Sequence, residues 1–322
     1  MTTAEAAAPI AARIHAITYG AEGVLLFDLR AQNDDQLPAF EPGAHVDIFM
    51  PGGLQRSYSL LNDASERHRY VLGIKREEAS RGGSRWMHDD VRTGSLIEIS
   101  APKNQFTLVE NAPHSIFVAG GIGITPLWSM IQRLQRLERP WTLFYRARSR
   151  VSAPLLDALA HPDITPHVHL SFSEDAAFVR LNLAQAVSTA PSGSHFYCCG
   201  PVAMMAAFEM ACSHVNPSQV HLEHFAASEA PATEGGFMVR LAKSGREVLV
   251  LPGQTILESL RTCGINVPSS CQQGVCGACE MNVLAGTPDH RDLVLSPGER
   301  AAGKTMMICC SGSLSNELTL DA

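Results

Sequence analysis

The first third of the chain is a succession of short apolar stretches, each broken from the next by Gly, Pro, Asn or Asp. The stretches are rich in β-branched residues and read RIHAITYG, GVLLFDLR, HVDIFM, YVLGIK and SLIEIS. Runs of this length with turn residues between them are typical of β-strands. Many short strands at close spacing predict a small antiparallel β-barrel over residues 1–110.

The middle third changes to an alternation of strand-like and helix-like segments. The strand-like segments are SIFVAGG, WTLFYRA, VHLSFS, HFYCCG and VHLEHF, and the helix-like segments are TPLWSMIQRLQRL, PLLDALA and PVAMMAAFEMAC. This alternation predicts an α/β domain with a parallel sheet over residues 111–226. Such sheets bind ligands at the carboxyl ends of their strands, so the residues after each strand are the candidates for binding.

A small polar segment with Pro and Gly, AASEAPATEGG, separates this domain from the last one. It predicts an interdomain linker over residues 227–236. The final domain, residues 237–322, opens with two strand-like runs, FMVRLAKSG and REVLVLPG, and a helix, TILESLRTCG, before a cysteine-containing loop. The whole pattern predicts a multidomain protein whose third domain is of the α+β class.

The composition argues against several classes of partner and location. The chain has 322 residues, 45% of them hydrophobic, and a formal net charge of -7, which argues against nucleic acid as a partner. No apolar run is long enough to cross a bilayer, and the opening MTTAEAAAPI lacks the basic and apolar regions of a signal peptide. We therefore expect a cytoplasmic protein with no membrane partner, and a monomer as the default state.

The cysteines point to metal or redox chemistry, because nine of them, all in the second half of the chain, are unusual in a cytoplasmic protein without disulfides. Cys271, Cys276 and Cys279 have the spacing C-x4-C-x2-C of a plant-type [2Fe-2S] loop. Gly274 and Gly277 suit such a loop, since its backbone must turn back on itself and leave N–H groups free for the sulfur atoms. The alternatives are free thiols and a zinc site, which favours C-x2-C pairs on both sides.

The fourth ligand must come from the adjacent pair Cys309 and Cys310, in the segment KTMMICCSGS. The apolar residues 306–308 predict a strand that leads up to the cluster. Because side chains alternate along a strand, Cys310 is expected to point away when Cys309 points toward the irons. Cys309 is therefore the predicted ligand, with Cys310 as the alternative.

A flavin site is indicated by the segment RSYSL, which follows a predicted strand and turn. An arginine, an aromatic ring and a hydroxyl group on one strand suit a flavin phosphate, its flat ring and its N5 edge. Further along, the segment RGGS opens a short helix, where backbone N–H groups and missing side chains make a phosphate cradle; a plain helix cap by its serine is the alternative. The candidates are Arg56, Ser57, Tyr58 and Ser59 in the first segment, and Arg81, Gly82, Gly83 and Ser84 in the second.

A nicotinamide site is indicated by the segment GGIGITP, between a predicted strand and the amphipathic helix. Glycines let a pyrophosphate approach the backbone, and a proline at the helix start lacks an N–H that would have no partner anyway. The segment is not the G-x-G-x-x-G fingerprint, so the ordinary dinucleotide fold is not predicted. The candidates here are Gly120, Gly121, Ile122, Gly123, Thr125 and Pro126.

Three further strand ends complete the predicted nucleotide site. One strand end carries the candidates Arg146 and Arg148. Arg148 and the nearby Arg150 could meet the adenosine ribose, where they leave room for a 2′-phosphate, so NADH and NADPH both stay open. Ser173 follows a second strand and is predicted to lie under the adenosine. The third strand ends in a thiol that would face the nicotinamide, with core packing as the alternative for its paired cysteines. This last segment contributes Cys199, Gly200 and Pro201.

The motifs RSYSL, RGGS, GGIGITP, YCCGP, HLEHF and CQQGVCGAC occur in this order, and together they resemble the family of phthalate dioxygenase reductase, the one-piece reductases of Rieske oxygenases. The resemblance covers essentially the whole chain. The C-terminal ferredoxin segment points to this branch of the wider ferredoxin–NADP reductase superfamily. The resemblance implies an FMN domain, an NAD domain and a [2Fe-2S] domain, with NADH as the donor, while physical arguments alone leave FAD open.

The resemblance also implies roles for individual residues. Arg56 would bind the flavin phosphate, Tyr58 would pack on the isoalloxazine ring and Ser59 would lie near N5. Thr125 would bridge the flavin and nicotinamide sites, and Cys199 would lie beside the nicotinamide, which makes Ser59 and Cys199 the catalytic candidates. The remaining implied contacts are Ile74 and Lys75 at the pyrimidine edge, Gly82, Gly83 and Ser84 at the phosphate, and Phe225 near the flavin.

These sites lead us to expect a reductase that takes a hydride from NAD(P)H onto a flavin and passes single electrons to a cluster. The resemblance implies a separate Rieske-type terminal oxygenase as the transient protein partner, with a demethylase or an amine monooxygenase as alternatives. We recognise no 2-His-1-carboxylate pattern in the chain, so an oxygenase site of its own is not expected. The competing hypothesis is a non-catalytic redox-sensing module that binds flavin and cluster but turns over no pyridine nucleotide.

Overall fold

The structure is a computed structural model that describes residues 8–33, 35–78, 82–175, 181–225 and 230–322. It divides into two compact units, Met1–Glu223 and His224–Ala322. Some sequence predictions concern positions outside the described residues: the absence of a leader in the first seven residues, Arg81 of the phosphate cradle, and residues 226–229 next to and within the linker.

The first unit begins with an antiparallel sheet of short strands. These are β1 (Ile10–Ala21), β2 (Val24–Ala31), β3 (His45–Phe49), β4 (Gln55–Ser59), β5 (Tyr70–Lys75) and β6 (Leu96–Ile99), with helix α1 (Gly83–Asp89) between the last two. The strand order is β4-β3-β6-β1-β2-β5, and the sheet closes into a barrel where Leu60 pairs with Leu72. Phe27, Leu29 and Ile48, from the apolar stretches of the sequence, lie in its core.

The same unit continues with a parallel sheet flanked by helices. Its strands are β7 (Ser115–Gly120), β8 (Trp141–Ala147), β9 (Val168–Phe172), β10 (His195–Cys199) and β11 (Val220–Glu223), in the order β11-β10-β7-β8-β9. The helices are α2 (Ile124–Arg136), α3 (Leu156–Leu159), α4 (Leu183–Ser188) and α5 (Val202–Ala211). Helix α2 buries Leu127, Met130, Ile131 and Leu134, the spacing of an amphipathic helix on a sheet. Because all five strands are parallel, their carboxyl ends meet at one edge.

Two predicted elements of this sheet are shorter than their sequence patterns. The segment PLLDALA forms only the single helical turn of α3, which follows Leu155 in the left-handed region with φ of +68°. The strand predicted from VHLEHF ends at Glu223, so Phe225 lies beyond it.

The second unit is a small mixed sheet with two helices and the cysteine loop. Its strands are β12 (Phe237–Leu241), β13 (Glu247–Val250), β14 (Glu280–Ala285), β15 (Pro288–Asp289), β16 (Thr305–Met307), β17 (Gly312–Ser313) and β18 (Glu317–Leu320), with helices α6 (Ile256–Thr262) and α7 (Pro297–Ala302). The main sheet has the order β13-β12-β18-β14-β16. Helix α6 begins with a capping box between Thr255 and Glu258, and its residue Leu260 is buried in the same apolar core as Val239 and Leu318. Among the described residues of either unit, no helix has the length and apolar character to cross a membrane.

Candidate functional site

Three side chains from separate strands meet at the carboxyl edge of the parallel sheet. Cys199 of β10 and Glu223 of β11 are register partners. Ser59, at the end of barrel strand β4, donates a hydrogen bond from Oγ to Glu223 Oε2 at 3.3 Å. The barrel motif and the sheet motif therefore share one site, which brings together the two residues predicted to be catalytic.

The two acidic groups at this site are held in their neutral forms. Removal of its carboxyl group from water raises the pKa of Glu223 to about 8, although the Ser59 hydrogen bond acts in the opposite direction. Burial raises the pKa of Cys199 well above its usual value, and the neighbouring Glu223 adds to this shift. A thiol and a carboxylic acid, rather than two anions, therefore line the site near neutral pH.

Glu223 is the functional candidate that sequence reasoning missed. The motif HLEHF was noted for its aromatic residue, and its glutamate belongs to no recognised catalytic spacing. The available signal was its position, since a carboxyl group at the end of an otherwise apolar parallel strand lies where such sheets bind ligands.

Two of the three glycines of GGIGITP pack one loop against another. A Cβ atom at Gly123 would collide with the carbonyl oxygen of Cys199, and one at Gly120 would collide with the ring of Pro201 and lie 3.1 Å from Gly200 Cα. The prediction that these glycines admit a pyrophosphate is thus incomplete, because Gly120 and Gly123 are required by the fold itself. Gly121 differs: its φ is +55°, and no atom of the described residues lies within 4 Å of a Cβ there, which leaves room for a ligand.

The start of helix α2 connects the nucleotide loop to the barrel. Thr125 is buried and donates from Oγ1 to the carbonyl oxygen of Ile122 at 3.0 Å. Its methyl group would lie 2.8 Å from a Cβ atom at Gly73 of β5, so only a glycine fits opposite it. Pro126 follows in the first turn of the helix, where a missing N–H has no cost. Thr125 therefore lies between the two predicted cofactor sites.

The phosphate cradle assembles around Arg56. A Cβ atom at Gly83 would lie 2.6 Å from Arg56 Cγ and 3.4 Å from Tyr58 Oη, so the start of α1 closes on the motif of β4. Gly82 has a φ of +98°, which side chains rarely adopt. Burial raises the pKa of Tyr58 to about 12, against the effect of Arg56. A guanidinium group beside glycines, whose backbone no side chain covers, suits a flavin phosphate. The neighbouring tyrosine suits the flat flavin ring.

Two serines predicted for this site have hydrogen bonds within the protein. Ser57 donates from Oγ to Asp47 Oδ1 at 2.6 Å, and Asp47 is also ion-paired with Lys103, so this hydroxyl belongs to a network between β3 and β4. Side chains alternate along β4, and Arg56 and Tyr58 lie on the opposite side from Ser57. Ser84 accepts a hydrogen bond at Oγ from the backbone N–H of Glu77 at 3.1 Å, which ties the cradle to the loop before it.

Strand β5 presents Ile74 and Lys75 at the predicted pyrimidine edge. The side chain of Ile74 is buried, and its carbonyl oxygen lies 2.9 Å from Nε2 of His88 in α1. Lys75 is exposed and paired with Glu77 at 2.9 Å. Phe225 is 38% exposed and belongs to the second unit, so its predicted place near the flavin stays a prediction.

The adenosine end of the site is formed by the carboxyl ends of β8 and β9. Arg148 Nε forms an ion pair with Glu174 Oε1 at 2.6 Å, and hydrogen bonding to this carboxylate raises the pKa of Arg148. Ser173 donates from Oγ to the carbonyl oxygen of Arg148 at 3.4 Å. Arg146 is the register partner of Gly120, at the same edge. The predicted adenosine contacts therefore lie together, with an unpredicted carboxylate among them.

The cysteine loop between α6 and β14 directs its backbone N–H groups at sulfur. The bonds are Gly274 N to Cys309 Sγ at 3.3 Å, Gln273 N to Cys271 Sγ at 3.3 Å and Cys271 N to Cys276 Sγ at 3.4 Å. Gly274 and Gly277 have φ values of +70° and +72°, in the region that favours glycine. Such N–H···S bonds stabilise cluster thiolates, so the loop fits an iron–sulfur cluster.

The four predicted iron ligands lie in two pairs. A hydrogen bond from Cys271 lowers the pKa of Cys276, and hydrogen bonds from Cys279 and, more weakly, from the neighbouring Cys310 lower the pKa of Cys309. Two pairs of thiols suit a cluster of two irons, whereas zinc needs four ligands around one point. Across the described residues, no three His, Cys, Asp or Glu side chains are arranged to hold a single metal ion.

One step of the reasoning that selected Cys309 is wrong. Strand β16 ends at Met307, whose carbonyl oxygen accepts hydrogen bonds from the N–H groups of Cys310 and Ser311 at 3.2 and 3.0 Å. The cysteine pair therefore lies in a turn, where strand alternation does not apply, and both side chains are buried. What supports Cys309 is the Gly274 N–H directed at its sulfur, while the Cys310 thiol donates to Met307 O at 3.7 Å.

Comparison with known proteins agrees with this architecture. A model of the 2Fe-2S iron-sulfur cluster binding domain matches residues 239–312, and one of the oxidoreductase NAD-binding domain matches residues 117–210. The chain is 64% identical over 322 residues to phenoxybenzoate dioxygenase subunit beta of Ectopseudomonas oleovorans, with 100% of both chains covered. It is 46% identical over 311 residues to tetrachlorobenzoquinone reductase of Sphingobium chlorophenolicum, with 95% of each covered.

A solved structure resembles the whole chain. Phthalate dioxygenase reductase, described as a modular structure for electron transfer from pyridine nucleotides to [2Fe-2S], has a TM-score of 0.83 at 36% sequence identity, with 98% of both chains covered. The match confirms the predicted fold class: an antiparallel flavin domain, a parallel-sheet nucleotide domain and a C-terminal ferredoxin domain.

Proposed function

Because this chain belongs to the family of phthalate dioxygenase reductase, we propose that it is the reductase component of a Rieske-type oxygenase system, which moves electrons from NADH through FMN to a [2Fe-2S] cluster. The observation that carries the proposal is the meeting of Ser59, from the barrel, with Glu223 and Cys199, from the parallel sheet. A flavin motif and a nucleotide motif that share one site suit hydride transfer between their ligands. A sensing module without turnover has no need of this convergence.

As a member of this family, the chain is an NAD(P)H-dependent flavin iron–sulfur oxidoreductase. Bound FMN supplies the chemistry of accepting a hydride and releasing electrons one at a time. Arg56 and the backbone of Gly82 and Gly83 would hold its phosphate, and Tyr58 would pack on its ring. Thr125, fixed between Ile122 and the barrel, keeps the nucleotide loop in register with the flavin site.

Ser59, Cys199 and Glu223 position the reacting rings. Since the pKa values of Cys199 and Glu223 are raised, both groups carry their protons near neutral pH and offer neither a charge nor a strong nucleophile. Their contribution would be to orient a bound nicotinamide and to exclude water from the site. No acid–base side chain is required for the hydride step.

The residues at the adenosine end support NADH as the donor. Glu174 offers a carboxylate that can accept hydrogen bonds from ribose hydroxyl groups and that repels a 2′-phosphate. Arg148, which could otherwise bind that phosphate, is already paired with Glu174.

Cys271, Cys276, Cys279 and Cys309 are the iron ligands in this proposal, and the partner is a Rieske-type terminal oxygenase that docks transiently. All nine cysteines are free thiols in the structure, which fits the reducing cytoplasm. The chain acts as a monomer, with one flavin and one cluster.

Reduction of cytochrome c by NADH and the purified holoprotein tests the proposal. We expect NADH to bleach the flavin absorbance rapidly and cytochrome c to be reduced in proportion to the bound cluster. A protein that carries FMN and cluster but reduces no cytochrome c would contradict it. A metal analysis that finds zinc, or no acid-labile sulfide, would contradict the assignment of the cysteines.

A quinone is a second candidate acceptor, because a relative with 46% identity is named a tetrachlorobenzoquinone reductase. A quinone can accept two electrons directly from the flavin, so its reduction needs no cluster. A Rieske-type oxygenase receives its electrons one at a time through the cluster. Quinone reduction at the same rate before and after cluster removal would favour this candidate.

A further inference from the structure

Cys310 lies against the cysteine loop but outside the proposed ligand set. The residue is 0% exposed. Its thiol donates to the carbonyl oxygen of Met307 at 3.7 Å and lies 3.9 Å from Ser311 Oγ. Its sulfur fills the space where a Cβ atom at Gly274 would lie, so the two residues are in direct packing contact.

Gly274 is also held on its other sides. Its carbonyl oxygen accepts a hydrogen bond from the N–H of Leu293 at 2.8 Å. Asp292 lies beside it, with Cα and Cβ at 3.1 and 3.3 Å from the position of a Cβ at Gly274. Asp292 is itself fixed, because its Oδ1 accepts two backbone N–H bonds at 2.9 and 2.8 Å. The Gly274 peptide is therefore clamped in the orientation that sends its N–H to Cys309 Sγ at 3.3 Å.

We propose that Cys310 is a positioning residue for the cluster: its sulfur packs against Gly274, keeps the Gly274 N–H directed at Cys309, and so raises the reduction potential of the cluster. An N–H···S bond stabilises the cluster more strongly after it has gained an electron, because the sulfur then carries more negative charge. The inference rests on the proposed function, in which Cys309 is an iron ligand. Cys310 is taken as a neighbour of the cluster and not as a ligand, because the Gly274 N–H is directed at the sulfur of Cys309.

A redox titration of the holoprotein, followed by the EPR signal of the reduced cluster, tests this with Cys310→Ala. Loss of the sulfur opens a void beside Gly274, the peptide relaxes into it and the N–H···S bond weakens. We expect the cluster's equilibrium constant for gaining an electron to fall by about tenfold, which is about 59 mV for one electron. Iron content should stay unchanged, and Cys310→Ser, which keeps most of the volume, should shift the potential less.

Cys263→Ala is the matched control, because this exposed cysteine lies at the end of α6 in the same unit and should leave the potential unchanged. A wild-type potential in Cys310→Ala overturns the proposal. If that variant assembles no cluster, Cys310→Ser decides: a lowered potential supports the proposal and an unchanged one overturns it.

Loss of the cluster from both Cys310 variants also overturns the proposal, since a packing contact tunes a cluster but is not needed to bind it. Retention of the cluster by Cys309→Ala would then identify Cys310 as the ligand. Flavin bleaching by NADH and the iron and sulfide content of the unmodified protein do not depend on these results. Failure here is therefore distinct from failure of the proposed function.

Discussion

A carboxyl group removed from water, as at Glu223, makes the stability of the fold depend on pH. Its pKa is raised from 4.5 to about 8. Between these values the folded protein keeps a proton that the unfolded chain has released, so stability falls as the pH rises through this window. The slope from this group is about 1.4 kcal/mol per pH unit. We expect Glu223→Gln to flatten the pH dependence of Tm between 4.5 and about 8, measured by calorimetry.

Glu209→Gln provides the control for this experiment, because Glu209 is an exposed glutamate on α5 of the same unit. Its pH dependence should match that of the unmodified protein. A slope in Glu223→Gln equal to that of the control would show that the carboxyl group at 223 is ordinary in the folded state.

Substitution of Glu174 should weaken the preference for NADH over NADPH. The side chain of its partner Arg148 is 81% exposed, so the pair acts in solvent and its effect is small. We expect Glu174→Gln to raise the ratio of kcat/KM for NADPH over NADH by no more than roughly fivefold, since an exposed charge is screened by water and salt. Steady-state kinetics with both coenzymes measure the ratio. Glu41→Gln, on the exposed barrel surface, should leave it unchanged, and an equal response of both variants would contradict the assignment.

At the scale of single residues, two short motifs distant in the chain were predicted to serve one phosphate, which needs a cation near bare backbone. The structure brings Arg56 and Tyr58 of the first motif next to Gly83 of the second. Glu223 could not be predicted as a site residue, because its partner Ser59 is distant in sequence and only the fold makes the two neighbours. The Cys310 side chain was misjudged because its direction depends on where a strand ends.

At the scale of elements, the short apolar stretches and the turn residues between them predicted the positions of the strands and the longer helices well. Helix α2 was predictable because its buried residues recur with the helical period. Helix α3 was overestimated, because PLLDALA is apolar enough for a helix but too short to show that period. Strand β16 was extended into Cys309 for the same reason, since a run of apolar residues does not mark its own end.

The contact between the loops after β7 and β10 leads to a prediction about Gly123. An alanine there would press its Cβ on the carbonyl oxygen of Cys199, which is backbone and cannot rotate away. We expect Gly123→Ala to destabilise the first unit by about 1–3 kcal/mol and to raise the KM for NADH, as denaturant unfolding and kinetics would show. Gly298→Ala is the control, because a Cβ there meets open space. Equal stability of the two variants would mean that the loops can separate without cost.

At the scale of the whole molecule, the flavin and nucleotide sites belong to the first unit and the cluster loop belongs to the second. Removing the cluster should therefore interrupt only the last step. With iron chelated from the holoprotein, we expect NADH to bleach the flavin at an unchanged rate, while cytochrome c reduction falls by tenfold or more, because single electrons then leave only from the flavin. Stopped-flow absorbance follows both reactions.

Reconstitution with iron and sulfide is the control for that experiment and should restore cytochrome c reduction. If the chelated protein reduces cytochrome c at the full rate, the cluster is not on the path to this acceptor. If flavin bleaching is lost as well, the two units are not functionally independent.

The interlocked glycine loops limit how this enzyme can evolve. A side chain at Gly120 would collide with Pro201, and one at Gly123 would collide with Cys199. Single substitutions at these two positions therefore cannot reshape the nicotinamide site in small steps. The adenosine end has no such restriction, since Arg148 and Glu174 lie in solvent. A laboratory selection for growth on the phosphorylated coenzyme should therefore recover its first successful changes at the ends of β8 and β9, and leave the loops after β7 and β10 untouched.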